Sequence, residues 1–102
     1  MFASVSKTKF NLPVDYENLS PTEKYLVREE YRRKQKDLCW YCQEALTSKP
    51  AKKVRDMKLI KSLFPKGFFN YPIHLHHDHD TDLTIGAVHN RCNAYLWQVE
   101  GQ

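Results

Sequence analysis

The chain has 102 residues, of which 41% are hydrophobic and 27% are charged. That balance is typical of a folded globular protein and excludes a disordered chain. The length predicts one small domain, which a bound metal ion or a covalent cross-link would stabilise. The net charge of +4 weakly favours a polyanionic partner. There is no signal-peptide core and no apolar run of membrane-spanning length, so we predict a cytoplasmic protein that does not contact a membrane.

Residues 1–17 are predicted to form an N-terminal arm. Helical periodicity is absent from this segment, and Pro13 would interrupt a helix. Apolar residues alternate along a short extended piece, at Phe10, Leu12, Val14 and Tyr16. The remaining residues, 18–102, are predicted to form the single domain.

A helix is predicted to follow the arm. Ser20 is its expected N-cap, Pro21 its first residue, and Glu23 would complete a capping box. The helix should run to about Lys36. Its inward-facing candidates are Tyr25, Leu26, Val27 and Tyr31. Its basic last turn suits the negative end of the helix dipole better than contact with a nucleic acid.

The three cysteines indicate a metal site. Their odd number argues against a closed set of disulfides and favours a reducing compartment. Cys39 and Cys42 flank two residues, and His89 and Cys92 repeat that gap. Thiolates and imidazole are preferred ligands of Zn²⁺, so we predict one structural Cys3His zinc site. The alternative is a set of buried free thiols beside a core histidine.

A strongly basic segment, residues 47–72, separates the two ligand pairs. It holds seven basic residues and one acidic residue, a net charge of +6. A helix is predicted from Ala51 to Pro65. Its apolar positions recur at helical spacing, at Val54, Met57, Ile60, and Leu63 or Phe64. The one-sided charge favours contact with DNA over a solvated face. The nucleic-acid-binding candidates are Lys52, Lys53, Arg55, Lys58, Lys61 and, outside this segment, Arg91.

The last third of the chain predicts two strands and a helix. Residues 73–80 and 83–88 form the expected strands, with a turn at 80–82, and the helix begins at about Asn93. The first strand carries a cluster of potential ligands and bases, namely His74, His76, His77, Asp78, His79 and Asp80. Ordinary core packing does not explain such a run, so it is a candidate site.

Two motifs in this region resemble those of a known family. Leu75-His-His-Asp78-His79-Asp80 is followed by Gly86-Ala-Val-His89-Asn90-Arg-Cys92-Asn93. Together they resemble the HNH superfamily, in particular the recombination endonuclease VII branch. The resemblance covers about residues 25–97. It implies an α+β fold, in which a zinc-stapled ββα-metal core carries an N-terminal helix and the basic helical insert.

The resemblance also implies a reaction, the metal-dependent hydrolysis of phosphodiester bonds in DNA. Asp78 and Asn93 would hold Mg²⁺ or Mn²⁺, and His79 would act as the general base. His89 replaces a cysteine of the family pattern and is still a zinc ligand. A second register is open, in which His76 and His77 take the places of Asp78 and His79. His77 is therefore also a catalytic candidate.

Other functions remain open at this point. A single active site in each chain predicts a nick, and cutting both strands would need a homodimer. A zinc-ribbon protein that binds nucleic acid without catalysis would show the same ligand spacing. A junction resolvase or a ribonuclease would keep the reaction and change the substrate. An inactive ββα module is a further alternative.

Overall fold

A computed structural model describes residues 10–100. The first nine residues of the predicted arm and the last two residues of the chain lie outside this range. The regular elements are the helices α1 (Pro21–Lys34), α2 (Lys52–Arg55) and α3 (Asn90–Glu100), and the strands β1 (Ile73–His77) and β2 (Thr84–His89). Short 3-10 turns occur at Tyr16–Asn18 and Lys61–Leu63. The protein is therefore a small α+β domain, in which α1 and α3 both pack against the two-stranded sheet.

Helix α1 begins where the sequence predicts. The Ser20 hydroxyl accepts a bond from the Glu23 N–H, and the Glu23 carboxylate accepts one from the Ser20 N–H. The helix ends at Lys34 rather than near Lys36, because Lys36 and Asp37 adopt positive φ angles of 56° and 61°.

The buried face of α1 differs from the predicted one. Val27 and Tyr31 are buried as expected, and Leu26 is half-buried. Tyr25, expected to face inward, is 54% exposed. Glu30 is buried instead, where it pairs with Arg33. The Tyr31 hydroxyl lies 2.8 Å from the Thr84 hydroxyl and so ties α1 to the start of β2.

The two strands form an antiparallel hairpin. Ile73 pairs with His89 at the open end, and the register shifts after His76. β1 stops at His77, shorter than predicted, because Asp78 begins the connecting turn. β2 begins at Thr84 and ends at His89, one residue later at each end than predicted.

The outer edge of β2 is covered by the segment that follows α1. The Trp40 N–H donates to the Ala87 carbonyl at 2.9 Å, and the Gln35 side chain bonds both backbone groups of Ala87. A Cβ at Gly86 would lie only 3.0 Å from Trp40 Cβ and 2.8 Å from Gln35 Oε1. Any larger residue at position 86 would therefore force the crossing segment to shift.

The described part of the arm lies against the same strand. Val14 and Thr84 bond through both backbone and side-chain groups, and the Tyr16 N–H donates to the Asp82 carbonyl. Apolar arm residues pack against the core, namely Phe10, Leu12 and Val14. Residues 10–16 are thus held on the domain by the sheet and the core.

The long helix predicted in the basic insert is wrong. α2 has four residues, and although Val54 is buried, Ile60 and Leu63 are 51% and 53% exposed. The Arg91 guanidinium donates to the carbonyls of Val54, Arg55 and Met57. The helix ends at Arg55, and Arg91 satisfies carbonyls at its end that a longer helix would have bonded within itself.

Helix α3 starts earlier than predicted, at Asn90 rather than near Asn93. The Asn90 N–H donates to the Pro72 carbonyl, and its side-chain amide donates to Tyr71. This start places Cys92 and Asn93 in the first turn of the helix, next to the end of β2. None of the helices within residues 10–100 has the length and apolar character needed to cross a bilayer.

Candidate metal centre and histidine cavity

Four predicted metal ligands converge at one point. The ligand atoms of Cys39, Cys42, His89 and Cys92 all lie within 4.8 Å of one another. Zinc–sulfur bonds of about 2.3 Å in tetrahedral geometry place two sulfur ligands about 3.8 Å apart. Three of the four residues are buried, and Cys42 is half-buried. The cluster is therefore compatible with a structural zinc ion.

The first ligand pair lies on a tight turn. The backbone N–H groups of Tyr41 and Cys42 point at Cys39 Sγ, at 3.4 and 3.5 Å. Gln43 has a positive φ of 69°, which turns the chain back so that Cys39 bonds the Glu44 carbonyl. These N–H groups stabilise a thiolate at Cys39, the form that binds a metal.

The His89 ring is oriented for the same role. Its Nε2 atom lies 2.8 Å from the Ala45 carbonyl, which can only accept a hydrogen bond, so the proton resides on Nε2. Nδ1 then presents its lone pair 3.5 Å from Cys42 Sγ and 3.6 Å from Cys92 Sγ. A carbonyl that fixes the tautomer of a histidine is a common support for a zinc ligand.

The thiols interact strongly with one another. A hydrogen bond from Cys92 lowers the pKa of Cys39 to about 4, against the opposing effect of burial. The same bond, together with burial, raises the pKa of Cys92. One negative charge is thus favoured on Cys39, and a divalent cation would allow the remaining thiols to ionise as well.

A separate cavity of about 650 Å³ lies along β1, between α1 and the first half of α3. The groups that can ligate a metal or move a proton on its walls are His74, His76, His77, His79 and Asn93. We call it the histidine cavity. Within residues 10–100, its histidines do not form a compact ligand group of the kind seen at the cysteines.

Asn93 has one amide atom engaged and one unused. Its Nδ2 donates to His74 Nδ1 at 3.1 Å, so the His74 proton must reside on Nε2. Its Oδ1 is buried and accepts no hydrogen bond. A buried oxygen without a partner costs about 1–3 kcal/mol, which is typical of an atom reserved for a ligand.

His77 and His79 lie next to each other in the cavity. The His77 ring stacks on Tyr16, with centroids 3.8 Å apart and an interplanar angle of 10°. Burial and the nearby His79 lower the pKa of His77, which favours the neutral ring. His79 is exposed, 5.0 Å from His77 between centroids, and contacts the Trp97 ring edge-on. His77 is therefore the more constrained of the two imidazoles.

Asp78 does not line the histidine cavity. Its carboxylate accepts hydrogen bonds from the N–H groups of Asp80 and Thr81, at 2.7 and 3.0 Å, and so closes the hairpin turn. These bonds lower the pKa of Asp78. Of the four catalytic candidates, the cavity brings together His77, His79 and Asn93 and leaves Asp78 in the turn.

The basic candidates also lie outside the cavity lining, and several have partners of their own. Lys52 pairs with Asp56, and Lys53 contacts the Tyr41 hydroxyl at 3.3 Å. Arg55 donates to the Pro50 carbonyl, and Arg91 holds the insert as described above. Lys58 and Lys61 are exposed. That this set binds nucleic acid remains a prediction.

The sequence analysis missed the residues on the α1 side of the cavity. Lys24, Tyr25 and Arg28 form that wall, and Tyr16 joins them from the arm. The four-residue spacing of Lys24 and Arg28 could have shown a basic stripe on α1. Tyr25 was instead assigned to the core on its apolar character.

Comparison of the chain with known protein families, with curated proteins and with solved structures finds no match. The resemblance to the HNH superfamily therefore rests on the two motifs alone and remains a prediction. What the geometry adds is a metal-compatible Cys3His cluster and, beside it, a cavity with several imidazoles.

Proposed function

We propose that the protein is a metal-dependent nuclease that nicks DNA within the histidine cavity. The observation that carries the proposal is the buried Asn93 Oδ1 atom, which accepts no hydrogen bond in a cavity that His76 and His77 also line. Between the two registers left open by the motif, this placement favours His76 and His77 over Asp78 and His79. The hairpin and α3 would then form a ββα-metal core.

Two groups in the cavity would hold the divalent ion of the proposed site. Asn93 offers an amide oxygen, and His76 is a buried imidazole on the neighbouring strand. When bound, such an ion supplies positive charge to the phosphate oxygens and to the leaving oxygen. Because imidazole suits transition metals better than Mg²⁺, this ligand set favours Mn²⁺ or Ni²⁺ over Mg²⁺.

His77 has the properties of a general base. Its ring is held by stacking on Tyr16, and its lowered pKa keeps it neutral and able to accept a proton from water. The water oxygen then bonds to phosphorus while the bond from phosphorus to the 3′ oxygen breaks, and the released 3′ oxygen takes a proton from solvent water. The products are a 5′-phosphate and a 3′-hydroxyl, as the family resemblance implies.

His79 would contribute less than His77. It is exposed at the cavity rim, where an imidazole can contact a phosphate but lacks a fixed position. One active site in each chain would make one nick per binding event. Cutting both strands would again require a homodimer.

The test is the relaxation of supercoiled plasmid by the purified protein. We expect nicking with Mn²⁺ and none in EDTA. His77→Ala should lower the rate by about 10²- to 10⁴-fold, the usual contribution of a general base. His79→Ala is the matched control, because it removes an imidazole from the same cavity, and it should retain most of the activity.

The reverse result, an inert His79→Ala and an active His77→Ala, would show that the Asp78–His79 register is the working one. A wild-type protein that holds zinc and binds DNA without cutting it would favour the non-catalytic alternative. Branched and RNA substrates, assayed in parallel, would show whether the enzyme is a resolvase or a ribonuclease.

A further inference from the structure

Two walls of the histidine cavity carry exposed aromatic rings. Tyr25 is 54% exposed on α1, and Tyr71 is 69% exposed on the segment that leads into β1. Both line the cavity. Neither ring contributes to the buried core, so packing does not account for them. Rings that stay exposed in a cavity are available to stack on a flat ligand.

Two cations also line the cavity, on α1. Lys24 lies 4.3 Å from the Tyr16 ring centroid, and it forms no ion pair within residues 10–100. Arg28 lies 5.1 Å from the Tyr25 centroid and is anchored by the Ile73 carbonyl and by Glu29. Lys24 and Arg28 are four residues apart on α1, so they share the helix face that lines the cavity.

The lining is free of negative charge. Among residues 10–100, no aspartate or glutamate lines the cavity, although the whole chain contains 12 acidic residues. A lining with cations, imidazoles and exposed rings, and without carboxylates, is complementary to a ligand that combines phosphates with flat bases.

We infer that the histidine cavity binds a single nucleic-acid strand with unpaired bases, which stack on Tyr25 and Tyr71 while Lys24 contacts the backbone phosphates. Bases within a duplex are stacked on one another, and their faces reach a side chain only after leaving the stack. The substrate class is therefore single-stranded or locally unpaired nucleic acid. The binding of a single strand does not depend on the proposed function. Only the cleavage of the bound strand rests on it.

The test is binding measured by fluorescence anisotropy with the zinc-loaded protein, without added Mg²⁺ or Mn²⁺ so that no cleavage occurs. The probes are labelled oligothymidylate, oligouridylate and a duplex of equal length. We expect tighter binding to both single strands than to the duplex. Tyr25→Leu should weaken single-strand binding by about tenfold, within the usual range for base stacking on an aromatic side chain, whereas Tyr25→Phe should retain it.

The charge contribution has a matched control on the same helix. Lys24→Gln should weaken single-strand binding and lower its salt dependence by about 0.7 in the logarithmic slope, the loss expected for one phosphate contact. Lys34→Gln removes the same charge at the far end of α1, where it does not line the cavity, and should change neither quantity. Zinc content confirms that each variant is folded.

Three results would overturn the inference. They are equal binding of Tyr25→Leu and Tyr25→Phe to both single strands, equal losses in Lys24→Gln and Lys34→Gln, and tighter binding to the duplex. Failure of the proposed function would be a different result, because strand binding would still depend on Tyr25 while no plasmid was nicked. Weaker binding of Tyr25→Leu to either the DNA strand or the RNA strand supports the inference, because stacking involves the base and not the sugar.

Discussion

The two clusters of potential ligands in this domain are built in opposite ways. At the Cys3His cluster the ligand atoms converge within 4.8 Å, and the Ala45 carbonyl fixes the His89 tautomer. In the histidine cavity the ligands are spread along an open wall, and Asn93 Oδ1 has no partner. A closed, converged set holds its ion as part of the fold, whereas an open set leaves room for a substrate.

The two clusters are also expected to have different roles, one in the stability of the fold and the other in the reaction. The Cys3His cluster brings the Cys39 turn to the end of β2 and the start of α3, so a zinc ion bound there would hold together the elements that support the cavity. In the cavity, the unpartnered Asn93 oxygen costs stability instead of adding to it. Changes at the first cluster should therefore unfold the protein, while changes in the second should leave it folded and inactive.

The largest expected effect follows loss of a zinc ligand. Cys39→Ser should unfold the protein, because structural zinc contributes about 10–16 kcal/mol in small zinc peptides and a domain is stable by about 5–15 kcal/mol. Circular dichroism and zinc content measure the effect. His79→Ala is the control, since it leaves all four ligands in place. A metal-free Cys39→Ser protein with the wild-type melting temperature would show that zinc does not stabilise the fold.

A smaller effect is expected at Gly86, where the Cys39 turn crosses β2. Gly86→Ala would place a methyl group 2.8 Å from Gln35 Oε1 and 3.0 Å from Trp40, so the turn must shift. We expect a loss of about 1–3 kcal/mol in the free energy of unfolding, typical of overpacking. Urea denaturation of the zinc-loaded protein measures it. Ser62→Ala, at an exposed site, should change little, and an equal loss there would contradict the packing explanation.

Sequence reasoning succeeded where the determinants are local. The capping box of α1 needs only Ser20 and Glu23, and the metal ligands come in two pairs with short spacing. The hairpin follows from two apolar strands around a polar turn. In each case, residues close in sequence specify the structure. Only the convergence of the two pairs of metal ligands depends on the tertiary fold.

The predictions were wrong where a residue distant in the sequence determines the local structure. The insert has the apolar spacing of a helix, but only four residues are helical, and Arg91, 34 to 37 residues away, donates to the carbonyls where the helix ends. Tyr25 has the character of a core residue, yet the core is completed by Val27 and Tyr31. Asp78 matches a catalytic motif, while its carboxylate closes a turn that a local reading could have recognised.

The most direct test of the separation between the two sites is a parallel measurement on the wild-type protein and Asn93→Ala. Each is assayed for bound zinc, melting temperature and plasmid nicking with Mn²⁺. We predict that Asn93→Ala keeps one zinc ion and nearly the wild-type melting temperature, since it removes both a hydrogen bond to His74 and an unpartnered oxygen, while nicking is lost. An Asn93→Ala protein that nicks plasmid at the wild-type rate would contradict the account.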